Sequence, residues 1–183
     1  MNETIINPII KDKVTFVQTA ASTNGRVTTL QVTLLPGGGT PLHYHRNFSE
    51  TFVVTEGMLT IVLKKKTITL GTGQKITVEK GQSHQFANRS SLPVVFTTII
   101  LPGSEGFENA LRILYGLAGD QKTNKKGMPK SLLALAVVSK ISDMRPAGIG
   151  ILLAPLMGTF NFIAKISGLQ EKLIVRYCKK MAK

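Results

Sequence analysis

Short runs rich in Val, Thr, Ile and Phe recur between turn signals through the first hundred residues. They cover Val14 to Thr19, Val27 to Leu35, Glu50 to Thr55, Leu59 to Leu63, Thr67 to Leu70, Lys75 to Glu79, Ser83 to Ala87 and Val94 to Leu101. Asn24-Gly25, Pro36-Gly37-Gly38-Gly39, Glu56-Gly57, Gly71-Thr72-Gly73 and Lys80-Gly81 punctuate them. Such spacing predicts an antiparallel sandwich or barrel.

Past Pro102-Gly103 the period lengthens. Phe107, Leu111, Leu114 and Ala118 fall at the spacing of a helix with one buried face. Ser104 is its expected N-cap, Glu105 suits the positive helix end, and Gly119 is its expected stop. Gly119 to Lys130 reads as a polar, basic linker. Further helices are expected over Ser131 to Ser142, within Gly150 to Ile166, and over Leu169 to Met181. The chain therefore divides into a β region, 1–103, and a helical extension, 104–183, serving as a lid or a dimerisation element.

Ala147 to Ala164 is an eighteen-residue stretch without a charge, at the lower edge of bilayer-spanning length. Its glycines, Pro155 and Asn161 favour helices laid on the β region or on a second subunit. Peripheral membrane contact by 147–164 is the less favoured reading.

With 183 residues, 43% hydrophobic and 18% charged, the chain can bury a real core, which excludes wholesale disorder. Its net charge of +13 suggests acidic partners. The charge is spread out, however: no basic block exceeds Lys64, Lys65 and Lys66, and Trp is absent. Nucleic acid is therefore not an expected partner. The lone Cys178 forms no intrachain disulfide and reads as a partly buried, unreactive thiol, and a cytoplasmic setting is expected.

All three histidines fall in two glycine-marked segments of the β region. In a strand, i and i+2 share a face, so His43 and His45 project together, and Glu50 can return to the same face. With His84 from a later strand they offer three imidazoles and a carboxylate. Such a set suits one divalent transition metal ion: Fe, Mn, Ni, Co, Cu or Zn. Gly37 to Gly39 precede no Lys-Ser/Thr and no helix, so a phosphate cradle is a weak reading.

These residues carry a resemblance to the cupin superfamily over about residues 25–102. The first cupin motif reads here as Gly37, His43, His45, Glu50 and Gly57, and the second as Gly73, Gly81, His84 and Asn88. Glu79 stands where the second motif usually has Pro, which places the turn's shape in question. The resemblance, close to single-domain bacterial cupins of the quercetin-dioxygenase-like group, implies a jelly-roll β-barrel, or double-stranded β-helix. It implies a metal on His43, His45, Glu50 and His84, with positions left open to substrate or dioxygen. By strand parity Phe52 and Phe86 point inward and give the cavity an apolar lining, or simply fill the core; Tyr44 points out.

The leading expectation is a metal-dependent cupin that acts on or binds a small organic molecule, with dioxygenation as its chemistry and Glu50 as a proton acceptor. The alternatives are a non-catalytic ligand-binding or sensor protein and a metal-dependent isomerase. The other carboxylates of the β region, Glu3, Asp12, Glu56 and Glu79, lie near termini or turns, which favours binding over acid–base chemistry. A homodimer is the expected assembly.

Overall fold

The computed structural model describes residues 2–64, 66–147 and 154–179. Strands β3 (Thr28–Leu34) and β10 (Val94–Leu101) bury every second residue, turning Leu30, Val32 and Leu34 and Val94, Phe96 and Ile100 inward. Because the side-chain period is two, a slip of one residue would expose the whole apolar set. Together with β1 (Thr4–Asn7), β2 (Asp12–Gln18), β5 (Ser49–Glu56) and β8 (Lys75–Val78) they form an antiparallel sheet ordered β1-β2-β3-β10-β5-β8.

A second sheet is ordered β11-β4-β9-β6-β7. Its members are β4 (His43–Tyr44), β6 (Met58–Leu63), β7 (Lys66–Gly71), β9 (His84–Ala87) and β11 (Arg145–Pro146). One core shared by the two sheets gathers Phe16, Leu34, Phe52, Ile61, Phe96 and Ile100. The expected β architecture with a helical extension is the fold observed. The short strands β1, β4 and β11 lie outside the runs read as strands from the sequence.

The extension comprises α1 (Glu105–Gly119), α2 (Leu132–Ile141), α3 (Ala154–Ile166) and α4 (Leu169–Tyr177). Ser104 caps α1 as expected, its hydroxyl accepting the Phe107 N–H at 3.2 Å. The single buried face predicted for α1 needs correction, because the other helices cover a second one. Phe107, Leu111, Leu114 and Tyr115 pack on the β core, while Ala110, Ile113 and Leu117 meet Val137, Val138, Ala164 and Leu173. Glu108 pins the helix to the sheet: its buried carboxylate accepts the Ala20 N–H and the Thr28 hydroxyl, each at 2.6 Å.

Helix α4 ends at Tyr177, before the expected Met181, which lies outside the described residues. Of the uncharged stretch 147–164, residues 148–153 also lie outside them. Among the described residues, no helix is long and apolar enough to cross a membrane. Cys178 is half-buried, and burial pushes its thiol up, as its unreactive reading requires.

Asp12 does more than its position near a turn suggests. It opens β2, is buried, and its Oδ2 accepts the Tyr115 hydroxyl of α1, while its Oδ1 has no partner. Burial pushes its carboxyl up to about 7, against the lowering by Tyr115 and by its own backbone N–H. A folded-state value raised from 3.8 means a contribution to stability that is full below the unfolded value and lost as pH rises through about 7. Urea unfolding from about pH 5 to about pH 8 is expected to show most of this loss, at most about 3 kcal/mol over that window, and Asp12→Asn to flatten it. Equal pH slopes in the two proteins would contradict the assignment.

Candidate metal centre

The two sheets bring the four predicted residues together. His43 on β4 lies directly opposite His84 on β9, and Glu50 comes from β5 of the other sheet. His45 follows β4 in an irregular segment pinned by Gly81, whose N–H donates to the His45 carbonyl at 2.6 Å. One candidate ligand atom from each residue lies within 4.8 Å of the others, and all four residues are buried.

Glu79, in the usual Pro position, leaves the turn intact. The Gln82 N–H donates to the Glu79 carbonyl at 3.0 Å, and Gly81 has φ +76°, as the third residue of a type II turn requires. The Glu79 N–H, which Pro would lack, donates to Gln82 Oε1 at 3.1 Å. Motif residue Asn88 is structural: its Nδ2 donates to the carbonyls of Leu34 and Leu92. Gly39 is needed for close approach, since a Cβ there would sit 2.5 Å from the Phe86 carbonyl oxygen.

Each imidazole is oriented through Nδ1. The Nδ1–H of His43 meets the Pro41 carbonyl at 2.8 Å, that of His84 the Gln82 carbonyl at 3.1 Å, and that of His45 the Asp143 carbonyl at 3.2 Å. A carbonyl at Nδ1 fixes the tautomer that leaves the Nε2 lone pair free. Around the centre, His84 Nε2 lies 2.7 Å and His45 Nε2 3.4 Å from Glu50 Oε2, yet the buried His45 Nε2 makes no hydrogen bond. His84 thus faces an acceptor at both nitrogens, an arrangement that a cation satisfies as well as a second ring proton does. The orphaned His45 nitrogen points to the same occupant.

The electrostatics suit a cation. Burial first, then the neighbouring His84 and His45, push His43 down to about 3, so it offers a neutral donor at ordinary pH. Burial alone would raise the Glu50 carboxyl, but the His45 and His84 rings that face it outweigh this and hold it well below the usual carboxylate range. Three imidazoles and one carboxylate, buried together, form a cluster that suits a single divalent transition metal ion.

Aromatic rings surround this cluster. His45 stacks on Phe48 with centroids 4.3 Å apart and meets Phe107 of α1 edge-on at 5.8 Å. Phe52 sits 6.1 Å from the His84 ring, and Phe52, Phe86 and Phe96 contact one another at 5.3–6.1 Å. Phe52 is fully buried and Phe86 partly so; both pack in the core. Tyr44, between the two histidines, is half-buried and pairs with Arg145.

Sequence reasoning missed Asp143. Besides the carbonyl that orients His45, its carboxylate Oδ2 accepts the N–H groups of Arg46 and Asn47 at 2.6 and 2.8 Å. No local motif marks this residue, because the residues it holds lie 96 to 98 positions earlier.

Residues 30–100 match the family model described as Cupin domain. This segment is a cupin-superfamily double-stranded β-helix domain, followed by C-terminal helices. Among solved structures, the chain is similar to a predicted oxalate decarboxylase from Thermotoga maritima, at 18% identity over 56% of this chain and 92% of that one, with a TM-score of 0.49. A sugar phosphate isomerase of the cupin superfamily from Silicibacter pomeroyi matches at 23% identity over 55% and 71%, TM-score 0.48. The polyketide cyclase RemF from Streptomyces resistomycificus matches at 22% identity over 50% and 65%, TM-score 0.46. The search of curated proteins found no match.

Proposed function

We propose that the protein binds a small oxygen-bearing organic molecule at one divalent metal ion held by His43, His45, Glu50 and His84, without turning it over. The observation that carries this reading is the convergence of four buried ligand atoms within 4.8 Å, with every Nδ1 committed to a carbonyl. When bound, the metal supplies Lewis acidity toward an oxygen donor. The protein's own residues orient the imidazoles, exclude water and set the apolar rings of Phe48 and Phe107 beside His45, while Phe52 and Phe86 pack in the core behind His84.

Binding is favoured over catalysis by the scarcity of free acid–base groups. The Glu50 oxygen facing the centre is taken up with His45 and His84. Nearby Asp143 spends one oxygen on two backbone amides and has the other 3.4 Å from Arg145. Proton transfer by Glu50, as in an isomerase or dioxygenase, would first require it to leave these partners.

Acetohydroxamate, a small oxygen-donor probe, tests the reading. Added to the cobalt-loaded protein, it is expected to shift the visible spectrum saturably; no shift would contradict an accessible metal. Dioxygen uptake by the iron-loaded protein with a flavonol or diketone present would contradict the non-catalytic assignment.

A second copy of the chain has its surface on α3, where Leu156, Phe162, Ile163 and Ile166 are exposed along a helix whose one charged residue is Lys165. Sedimentation velocity is expected to find a dimer that Ile163→Asp/Ile166→Asp dissociates. A wild-type monomer at every concentration would remove this partner.

A further inference from the structure

We infer that Asp143 is a positioning residue that clasps the helical extension onto the metal centre and makes His45 a conditional ligand, so that docking of the extension and metal binding reinforce each other. The inference rests on the metal-centre reading above and adds a coupling to it.

The three histidines differ in what orients them. His43 and His84 each donate Nδ1–H to a carbonyl two residues earlier, Pro41 and Gln82, so their ring planes are set within their own strand segments. His45 donates instead to Asp143, 98 positions later, just beyond α2. Its ring orientation therefore holds only while that segment is docked.

Asp143 is built for this contact. It is buried at 6% exposure and has φ +51°, a left-handed conformation that Asp and Asn adopt more readily than other side chains. One residue thereby serves three consecutive positions of the site: its carbonyl takes His45 and its Oδ2 takes the amides of Arg46 and Asn47. The next residues continue the seam. Arg145 and Pro146 form β11 against Tyr44 and His43, and the Ala147 N–H lies 3.4 Å from the Leu42 carbonyl.

The extension thus closes the edge of the very strand that carries His43, while Phe107 of α1 closes on His45 from the other helix. A group that holds a metal-ligating imidazole in its binding orientation raises metal affinity. Linkage then requires the metal to favour the docked extension by the same factor.

The test uses the full chain loaded with Co²⁺, with affinity read by chelator competition and ligand field by visible absorption. Asp143→Gly keeps the left-handed backbone and deletes the carboxylate clasp; Asp143→Asn keeps both the conformation and an acceptor oxygen. Asp143→Gly is expected to weaken Co²⁺ binding about 10- to 100-fold and to change the spectrum, and Asp143→Asn to restore both to within about 3-fold. Amide hydrogen exchange supplies an independent reading. Co²⁺ is expected to slow exchange at Arg46 and Asn47 in the wild type and to lose that effect in Asp143→Gly, with protection in β10 unchanged.

Wild-type affinity and spectrum in Asp143→Gly would overturn the clasp while leaving the metal centre standing. So would exchange at Arg46 and Asn47 that ignores Co²⁺. A wild-type protein that binds no Co²⁺ would overturn the metal reading, and the clasp with it.

Discussion

Glu50→Gln is expected to lose at least about 100-fold in affinity for a divalent transition metal, more than the 10- to 100-fold cost of removing an outer-shell partner. Glu50 is the one anion among four buried donors, and its companions are imidazoles that bind metal as neutral groups. A dication taken out of water into this space needs its charge offset, and an amide of nearly the same shape offsets none of it. The substitution therefore separates charge from packing. Chelator competition with Co²⁺ measures it, and an unchanged affinity would remove Glu50 from the ligand set.

Phe52→Ala is expected to cost about 3–5 kcal/mol of folding stability, the usual range for emptying a packed aromatic site. Phe52 is 1% exposed and lies against Phe86, Phe96 and the His84 ring. Strand parity alone leaves it either lining a ligand space or filling the core, and the two uses predict different numbers. Urea unfolding of the metal-free protein decides between them. A loss under about 1 kcal/mol would mean the ring borders open space rather than packed neighbours.

The β region was readable because its information is local. Turn residues bound each strand, and the i, i+2 spacing pointed His43 and His45 to one site, although the strand stops at Tyr44 and His45 reaches the site from an irregular segment. His84 lies in a strand-like run of its own, Ser83 to Ala87, and the resemblance to the second cupin motif, on Gly73, Gly81 and Asn88, implied its place in the set. Contacts between distant segments were not readable. The two-residue strand β4 is too short to show a pattern, and β11 exists through its pairing with β4. The stripe on α1 revealed one apolar side, and its second burial depends on α2 and α4 arriving from later in the chain. Asp12 and Asp143 look like ordinary turn residues until Tyr115 and His45 are brought against them. The extension, expected as a lid or a dimerisation element, supplies the carbonyl that orients one of the four candidate ligands.

Elemental analysis of the full chain, purified without chelator or a polyhistidine tag, is the decisive measurement for the metal centre. About one equivalent of a transition metal per chain is expected, lost in a His43→Ala/His84→Ala variant that remains folded. No metal in the purified protein, and none taken up on reconstitution with iron, manganese, cobalt, nickel, copper or zinc, would contradict it.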